Sequence, residues 1–301
     1  MFRAVRHAKA RPTRVLESCA GQHRSAKHHL VLVRTALGCV VAVCTALTVW
    51  LAWPKPADAA EDELRAKRSV SVGFPWRGKL VRGWQLRQSD YVHYTGEYRA
   101  NGHFFGTWEL VQLLERAARR VAFRHPGAKL SVGELSARHG GRLSGHRSHE
   151  NGRDVDVAFY MTNASGTSVQ SWSFGNVGRD GRGTGANAHL RFDDARNWEL
   201  VSKLVADGDA RVQRIFVANT IQARLLAEAR RRAAPEILVE RAKHVMVEPT
   251  HGHPHRNHFH VRIYCAPADQ RICRDNPPYW PWYPGDLNRL LGTNALALGP
   301  R

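Results

Sequence analysis

Histidine is unevenly placed in this chain of 301 residues: of 17 His, five fall within residues 251–260 (HGHPHRNHFH), and His146 and His149 form a second cluster. Imidazole ligates metals and titrates near neutrality, so such clustering points to metal or proton chemistry. Side chains two apart on a strand share a face. His258 and His260 therefore point one way, while Phe259, Val261 and Ile263 point into a core. In the other cluster, Asn151-Gly152 is a turn dipeptide that lets the loop bearing His149 fold back over a strand bearing Asp156. Two imidazoles and one carboxylate make a three-ligand zinc site with an open position, the catalytic rather than the closed structural arrangement. Zinc lowers the pKa of water to about 7, which provides a nucleophile for an amide carbonyl. Each half alone has a plainer reading. A His-rich run is often a solvated loop or a nonspecific metal binder, and a lone strand Asp is often a turn partner. Two His-bearing segments with a carboxylate between them favour catalysis.

The elements that must position these residues follow from periodicity. Leu110, Leu113, Leu114, Ala117 and Val121 recur at helical spacing, which predicts a helix over 107–122. Helices are also predicted over 194–206, capped by Asp193 or Asp194, and over 220–233, capped by Asn219 or Thr220. Alternation predicts strands over 129–136, 154–159, 214–218 and 258–264. The Gly-, Ser- and Asn-rich stretch 161–190 predicts a long loop, and 61–96 predicts loops and short strands. This irregular order implies an α+β single domain with a mostly antiparallel sheet flanked by helices.

Residues 35–53 carry no charge and follow a basic lead, with Ala57-Asp58-Ala59 beyond them. That pattern reads as an export signal cut after Ala59, or as a retained membrane anchor; both stay open. Either way the basic side stays in, so the bulk of the chain is expected outside the cytoplasm, in the periplasm or cell envelope. Cys19, Cys39 and Cys44 lie in or before this segment. Cys265 and Cys273 remain, and in an oxidising compartment they are expected to form a disulfide. The formal charge is +19, of which residues 1–60, with nine Lys+Arg and two acids, carry +7 and the rest +12. Such a surface suits an anionic partner. A charged fraction of 24% with nine Trp and ten Phe excludes a disordered chain. No repeat of fixed period appears, and neither a Gly-x-Ser-x-Gly elbow nor a Ser-x-x-Lys motif is present.

The spacing His149-x-x-Gly152-x-Asp154-x-Asp156, followed by His258-x-His260, resembles the LAS metallopeptidases. Within that group, GHRSHENGRDVDV, RIFVA and NHFHVRIYCAPADQRIC are most similar to the penicillin-insensitive murein endopeptidase family, over residues 102–273. The resemblance implies a LAS-like fold and a zinc ion (Zn2+) held by His149, Asp156 and His260. His258 would stand beside the metal as general base or transition-state stabiliser. His146 would sit at a second metal position, His255 would bind substrate or relay protons, and Asp154 would support the ligands. The family's Asp-Gly-Lys-His segment is here Asp180-Gly181-Arg182-Gly183, without its histidine, for which His189 is a substitute candidate.

The implied partner is peptidoglycan, cut at D-alanyl–diaminopimelyl cross-links without an acyl-serine and hence without sensitivity to β-lactams. Arg147, Arg153 and Arg262 are candidates to receive stem-peptide carboxylates, though each reads more readily as an ordinary surface arginine. The domains expected are a basic N-terminal region over 1–60, a zinc metallopeptidase domain over 61–275 and a Pro/Trp-rich tail over 276–301. Membrane contact is expected only through the N-terminal segment, and no nucleic acid is expected. The rival readings are a zinc D,D-carboxypeptidase or dipeptidase on free stem peptides, a non-catalytic cell-wall-binding protein, and a metal carrier built on the 251–260 run.

Overall fold

The computed structural model describes residues 68–283, so the expected export segment lies outside the described residues. Its centre is a six-stranded sheet in the order β12-β11-β13-β7-β6-β4. These strands are β4 (Val92–Tyr94), β6 (Leu130–Val132), β7 (Asp154–Ala158), β11 (Val212–Phe216), β12 (Met246–Val247) and β13 (His258–Ile263). β13 runs antiparallel to both β7 and β11, and β6 runs antiparallel to β7. Only β4 with β6 and β11 with β12 pair in parallel. The architecture is the α+β, mostly antiparallel one expected.

Alternation along the two central strands separates core from chemistry. Val155, Val157, Phe259, Val261 and Ile263 are buried in the hydrophobic core. Asp154, Asp156, His258, His260 and Arg262 occupy the other parity. Register pairs His260 with Asp156 and Arg262 with Asp154. A slip of one residue would drive carboxylates and imidazoles into the core, so hydrophobic burial locks the register that the polar face needs.

Four helices complete the domain: α1 (Trp108–Arg124), α2 (Asp194–Ala206), α3 (Asn219–Arg231) and α4 (Glu236–Val245). In α1 the buried residues are Leu110, Val111, Leu113, Leu114, Ala117, Ala118 and Val121, the stripe that the spacing predicts. Thr107 caps it by accepting from the Leu110 N–H, and Asp193 caps α2 by accepting from the Arg196 N–H. Helix α4 was not anticipated. It is ten residues long with only Ala242 and Val245 buried, too short a stripe to stand out from sequence. It runs directly into β12. The loop over 161–190 holds β8 (Met161–Thr162) and β9 (Ser168–Val169), which join β10 (Arg191–Phe192) in a small sheet of their own.

Ahead of the sheet, β1 (Val70–Phe74) and β2 (Arg77–Val81) form a hairpin, and β3 (Trp84–Gln85) pairs with β5 (Phe105–Gly106). Cys265 and Cys273 form the expected disulfide, with Cα atoms 5.9 Å apart. Past it residues 276–283 lie against the domain. Trp280 Nε1 donates to the Gln213 carbonyl at 2.8 Å and Tyr264 Oη to the Pro278 carbonyl at 2.6 Å. Trp280 and Trp282 pack partly buried against the core, and Tyr283 is buried. Among the described residues no helix is long and apolar enough to cross a membrane.

Arg153 ties the tail to the sheet and is only 1% exposed. Its Nη1 donates to the Ile263 carbonyl at 3.0 Å and to Asp275 at 2.7 Å, and its Nη2 donates to the Arg274 carbonyl at 2.9 Å. It is a structural cross-brace, which removes it from the substrate-binding candidates. Removing one partner of a buried ion pair costs about 3–5 kcal/mol. Arg153→Met is expected to lower stability by that amount, read as a reduced urea midpoint at unchanged slope; a change below about 1 kcal/mol would show that the brace is dispensable.

Candidate metal centre

The site forms around the Asp156 carboxylate on β7, which is 3% exposed. Asp156 Oδ1 lies 3.4 Å from His149 Nε2, 3.5 Å from His260 Nδ1 and 3.5 Å from His258 Nε2. Asp156 Oδ2 lies 3.6 Å from His146 Nδ1. His258 and His260 reach it because β13 is the neighbouring strand, and His146 and His149 reach it from the loop before β7. That loop turns at Gly152, where φ is +78° and a Cβ would stand 2.7 Å from the Leu80 side chain, so glycine is required there.

In each ring the nitrogen facing away from Asp156 is taken by an acceptor. His149 Nδ1 donates to the Leu135 carbonyl at 2.6 Å, and His260 Nε2 to Asp154 Oδ1 at 3.0 Å. His258 Nδ1 donates to Asn257 Oδ1 at 2.8 Å, and His146 Nε2 to Glu134 Oε2 at 2.7 Å. A neutral imidazole carries one N–H, so each ring turns a lone pair towards the same carboxylate. Lone pairs and a carboxylate repel one another unless a cation lies among them. His149 Nε2 and Asp156 Oδ1 are both buried without a hydrogen-bond partner. Ligating histidines whose second nitrogen is held by a carboxylate or carbonyl are the usual surroundings of a protein-bound metal.

The electrostatics agree. Burial disfavours the charged form of His149, but Asp156 and Asp154 outweigh it and push its pKa up to about 9. Burial alone would raise Asp156; the imidazoles of His149, His258 and His260 instead hold it far below the usual carboxylate range. His258 is pushed down to about 3 by burial, against the pull of Asp156, so it is neutral at physiological pH. Burial also lowers His260. The pocket thus keeps its carboxylate ionised and favours a positive charge at His149 Nε2, which is a proton on the ring itself or a cation in that proton's place.

Backbone strain falls in the same place. His149 has φ +75° and His255 φ +51°, a left-handed conformation that costs a non-glycine residue about 1 kcal/mol or more. His149 is held there by its N–H on Asp154 Oδ2 at 3.2 Å as well as by its ring. Asp154 also accepts from Arg262 Nε at 2.6 Å and Nη2 at 3.3 Å. Arg262 is therefore committed inside the protein and, like Arg153, is not a surface residue open to substrate. Arg147 is exposed.

Ligand atoms of His146, His149 and Asp156 lie within 4.8 Å of one another, a group that could hold a metal ion. His255 stands further out, its ring 4.6 Å from that of His258 and 5.8 Å from that of His260. His251 and His253 are exposed, so the dense run brings three of its five imidazoles to the site. His189 is exposed and lines a neighbouring 170 Å³ pocket with Trp172 and Asn257. Phe174, from the loop between β9 and β10, stacks on the His258 ring at 4.6 Å.

Sequence reasoning missed Glu134 and Asn257. Glu134 is 4% exposed, yet its pKa falls to about 2. Burial would raise it, but His146, Asn101 and His103 outweigh that by hydrogen bonding. Its signal was a lone acid in the apolar stretch KLSVGELS, a position where an unpaired carboxylate is costly.

A family model described as penicillin-insensitive murein endopeptidase matches residues 71–285. The protein of that name from Haemophilus influenzae is 31% identical over 181 residues, covering 58% of this chain and 56% of its own length. Those of two Escherichia coli strains, O1:K1 and O6:K15:H31, are 30% and 31% identical over 189 residues, 62% of either chain. The match thus spans less than two thirds of each relative's length, 56% for one and 62% for the others. Since the matched region takes in the whole of the six-stranded sheet and every histidine gathered around Asp156, this chain belongs to the penicillin-insensitive murein endopeptidase family.

Proposed function

We propose that this protein is an exported zinc-dependent peptidoglycan endopeptidase that hydrolyses D-alanyl–diaminopimelyl cross-links in the cell envelope. The observation that carries this reading is the convergence of imidazole lone pairs on the buried Asp156 carboxylate, in a chain of this family. His149 through Nε2, Asp156 through Oδ1 and His260 through Nδ1 would hold the zinc. His149 Nε2 and His260 Nδ1 lie 3.4 and 3.5 Å from Asp156 Oδ1, and imidazole and carboxylate are donor types that zinc takes. When bound, the ion supplies Lewis acidity for the scissile carbonyl and lowers the pKa of the attacking water.

The remaining steps belong to the chain's own residues. His258 is neutral, with Nδ1 committed to Asn257, so its Nε2 is free to accept the proton of the attacking water and return it to the leaving amine. Asp156, facing that nitrogen at 3.5 Å, stabilises the imidazolium formed in between. Asp154 and the Leu135 carbonyl keep the rings of His260 and His149 turned inward. His255 borders His258 and is the candidate to bind substrate or relay protons, and His146, on the Oδ2 side of Asp156, is the candidate for any second ion. No serine nucleophile takes part, so β-lactams have no residue to acylate.

The full chain, incubated with cross-linked muropeptide dimers, is expected to release monomers. Chelator should abolish this, zinc should restore it, and penicillin should leave it unaffected. His260→Ala should lower the rate by more than about 100-fold, beyond the loss of an outer hydrogen-bond partner. Intact dimers in a folded, zinc-loaded sample would refute the proposal, and cleavage confined to uncross-linked pentapeptides would transfer the chain to the carboxypeptidase reading. Asp154→Asn keeps the size of the side chain but loses its charge against Arg262 and His260. Zinc affinity should then fall about 10- to 100-fold, measured by competition with a chromophoric chelator; an unchanged affinity would show that Asp154 does not support the ligand.

A further inference from the structure

Arginine on the metal face is unequally employed. In the register between β11 and β13, Arg214 pairs with Arg262 and Phe216 with His260. Arg214 therefore lies on the same face as the imidazoles, one row from His260. The Arg262 and Arg214 guanidiniums both sit over the Phe216 ring, 5.4 and 5.9 Å from its centroid. The Phe216 and His260 rings meet edge to face with centroids 5.1 Å apart. Arg262 is neutralised by Asp154. Arg214 is half-buried, and among the described residues no carboxylate stands within ion-pairing distance of it. Burial and the neighbouring Arg262 charge both lower its pKa. Partly buried charges are ordinarily paired, because desolvation is costly without a counter-ion. Two guanidiniums thus share one internal carboxylate, and the surplus positive charge lies beside the ligand His260. Trp76, 42% exposed, borders the same patch, with the Arg262 guanidinium 6.0 Å from its ring.

We propose that Arg214 is the substrate-carboxylate receptor of this site: it binds the free carboxylate on the diaminopimelyl side of the scissile bond. This rests on the endopeptidase reading above. In a D-alanyl–diaminopimelyl cross-link, the carbon that bears the scissile nitrogen also bears a carboxylate. The anion is therefore attached next to the reacting bond, and a receptor for it must lie close to the metal. A guanidinium can take it bidentately, which fixes direction as well as position. The binding energy so gained orients the amide against His258 and favours an anionic acceptor strand over an amidated one.

The test uses the full zinc-loaded chain and two dimers, one with the diaminopimelyl carboxylate free and one with it amidated. Loss of a charge-assisted pair corresponds to about 10- to 100-fold in binding. Wild type should show a KM higher by that factor for the amidated dimer. Arg214→Gln should show the same rise on the free-carboxylate dimer and no further rise on the amidated one, with unchanged zinc content and unfolding midpoint; Arg214→Lys should fall between. Equal KM values of wild type for the two dimers, or an Arg214→Gln variant that still discriminates, would overturn the assignment. Should Arg214→Gln not fold, the wild-type comparison decides alone. If wild type cuts neither dimer, the endopeptidase reading fails instead, and the receptor is then judged by tryptophan fluorescence titration with both peptides. A tenfold or greater preference for the carboxylate supports it, and equal affinity overturns it.

Discussion

The structure depends on one buried acceptor. Asp156 Oδ1 has no hydrogen-bond partner, and nitrogen atoms of His149, His258 and His260 approach it to 3.4–3.5 Å. An ionised carboxylate in that position is costly unless positive charge accompanies it. Several features then become consequences of one requirement. The antiparallel register of β7 with β13 puts His260 opposite Asp156. The strained backbone of His149 aims Nε2 at the same oxygen, and Gly152 lets the preceding loop close over the strand. Burial of Val155, Val157, Phe259 and Val261 fixes the register but needs neither the strained His149 backbone nor the Gly152 turn.

Around that acceptor lies a ring of groups that orient the histidines. Asp154 is the most heavily used. It binds Arg262, the His149 backbone and the His260 ring at once, so one side chain couples the two strands, the loop and the guanidinium row. Arg153 extends the network to the tail through Asp275, and the disulfide closes the same segment. The cluster around Asp156 and the C-terminal segment are therefore joined through neighbouring residues, Arg153 to Asp156.

What the sequence made legible follows from this physics. Histidines are few enough that clustering is visible, and a period of two on His258 and His260 identifies a shared strand face. The buried stripe of α1 and the parity of β13 could likewise be read directly. Three kinds of feature could not. The Leu135 carbonyl that orients His149 has no side-chain signature. Glu134 and Asn257 contribute single polar groups that carry no spacing. The roles of Arg153 and Arg262 depend on burial, which charge alone does not reveal, so both resembled solvent-facing candidates for substrate. Arg214 was passed over for the opposite reason: within RIFVA it reads as the polar end of a strand, and its position beside Arg262 exists only once β11 is paired with β13. The short α4 shows the limit for elements, since two buried residues do not establish a helical period.

Asp156 offers two oxygens to different company: Oδ1 faces His149, His258 and His260, whereas Oδ2 faces His146 alone. A second ion on Oδ2 would need further ligands. The segment where the family carries Asp-Gly-Lys-His does not supply them. Asp180 is exposed, accepts from the Arg182 N–H at 3.0 Å within its own turn, and pairs with the Arg182 side chain. His189 is exposed on the wall of a separate pocket. Meanwhile Glu134 binds His146 through one oxygen and, through the other, His103 and Asn101. That arrangement fixes His146 beside Asp156, within the His146–His149–Asp156 group that could hold a metal ion, while the neutral His258 stands on the Oδ1 side.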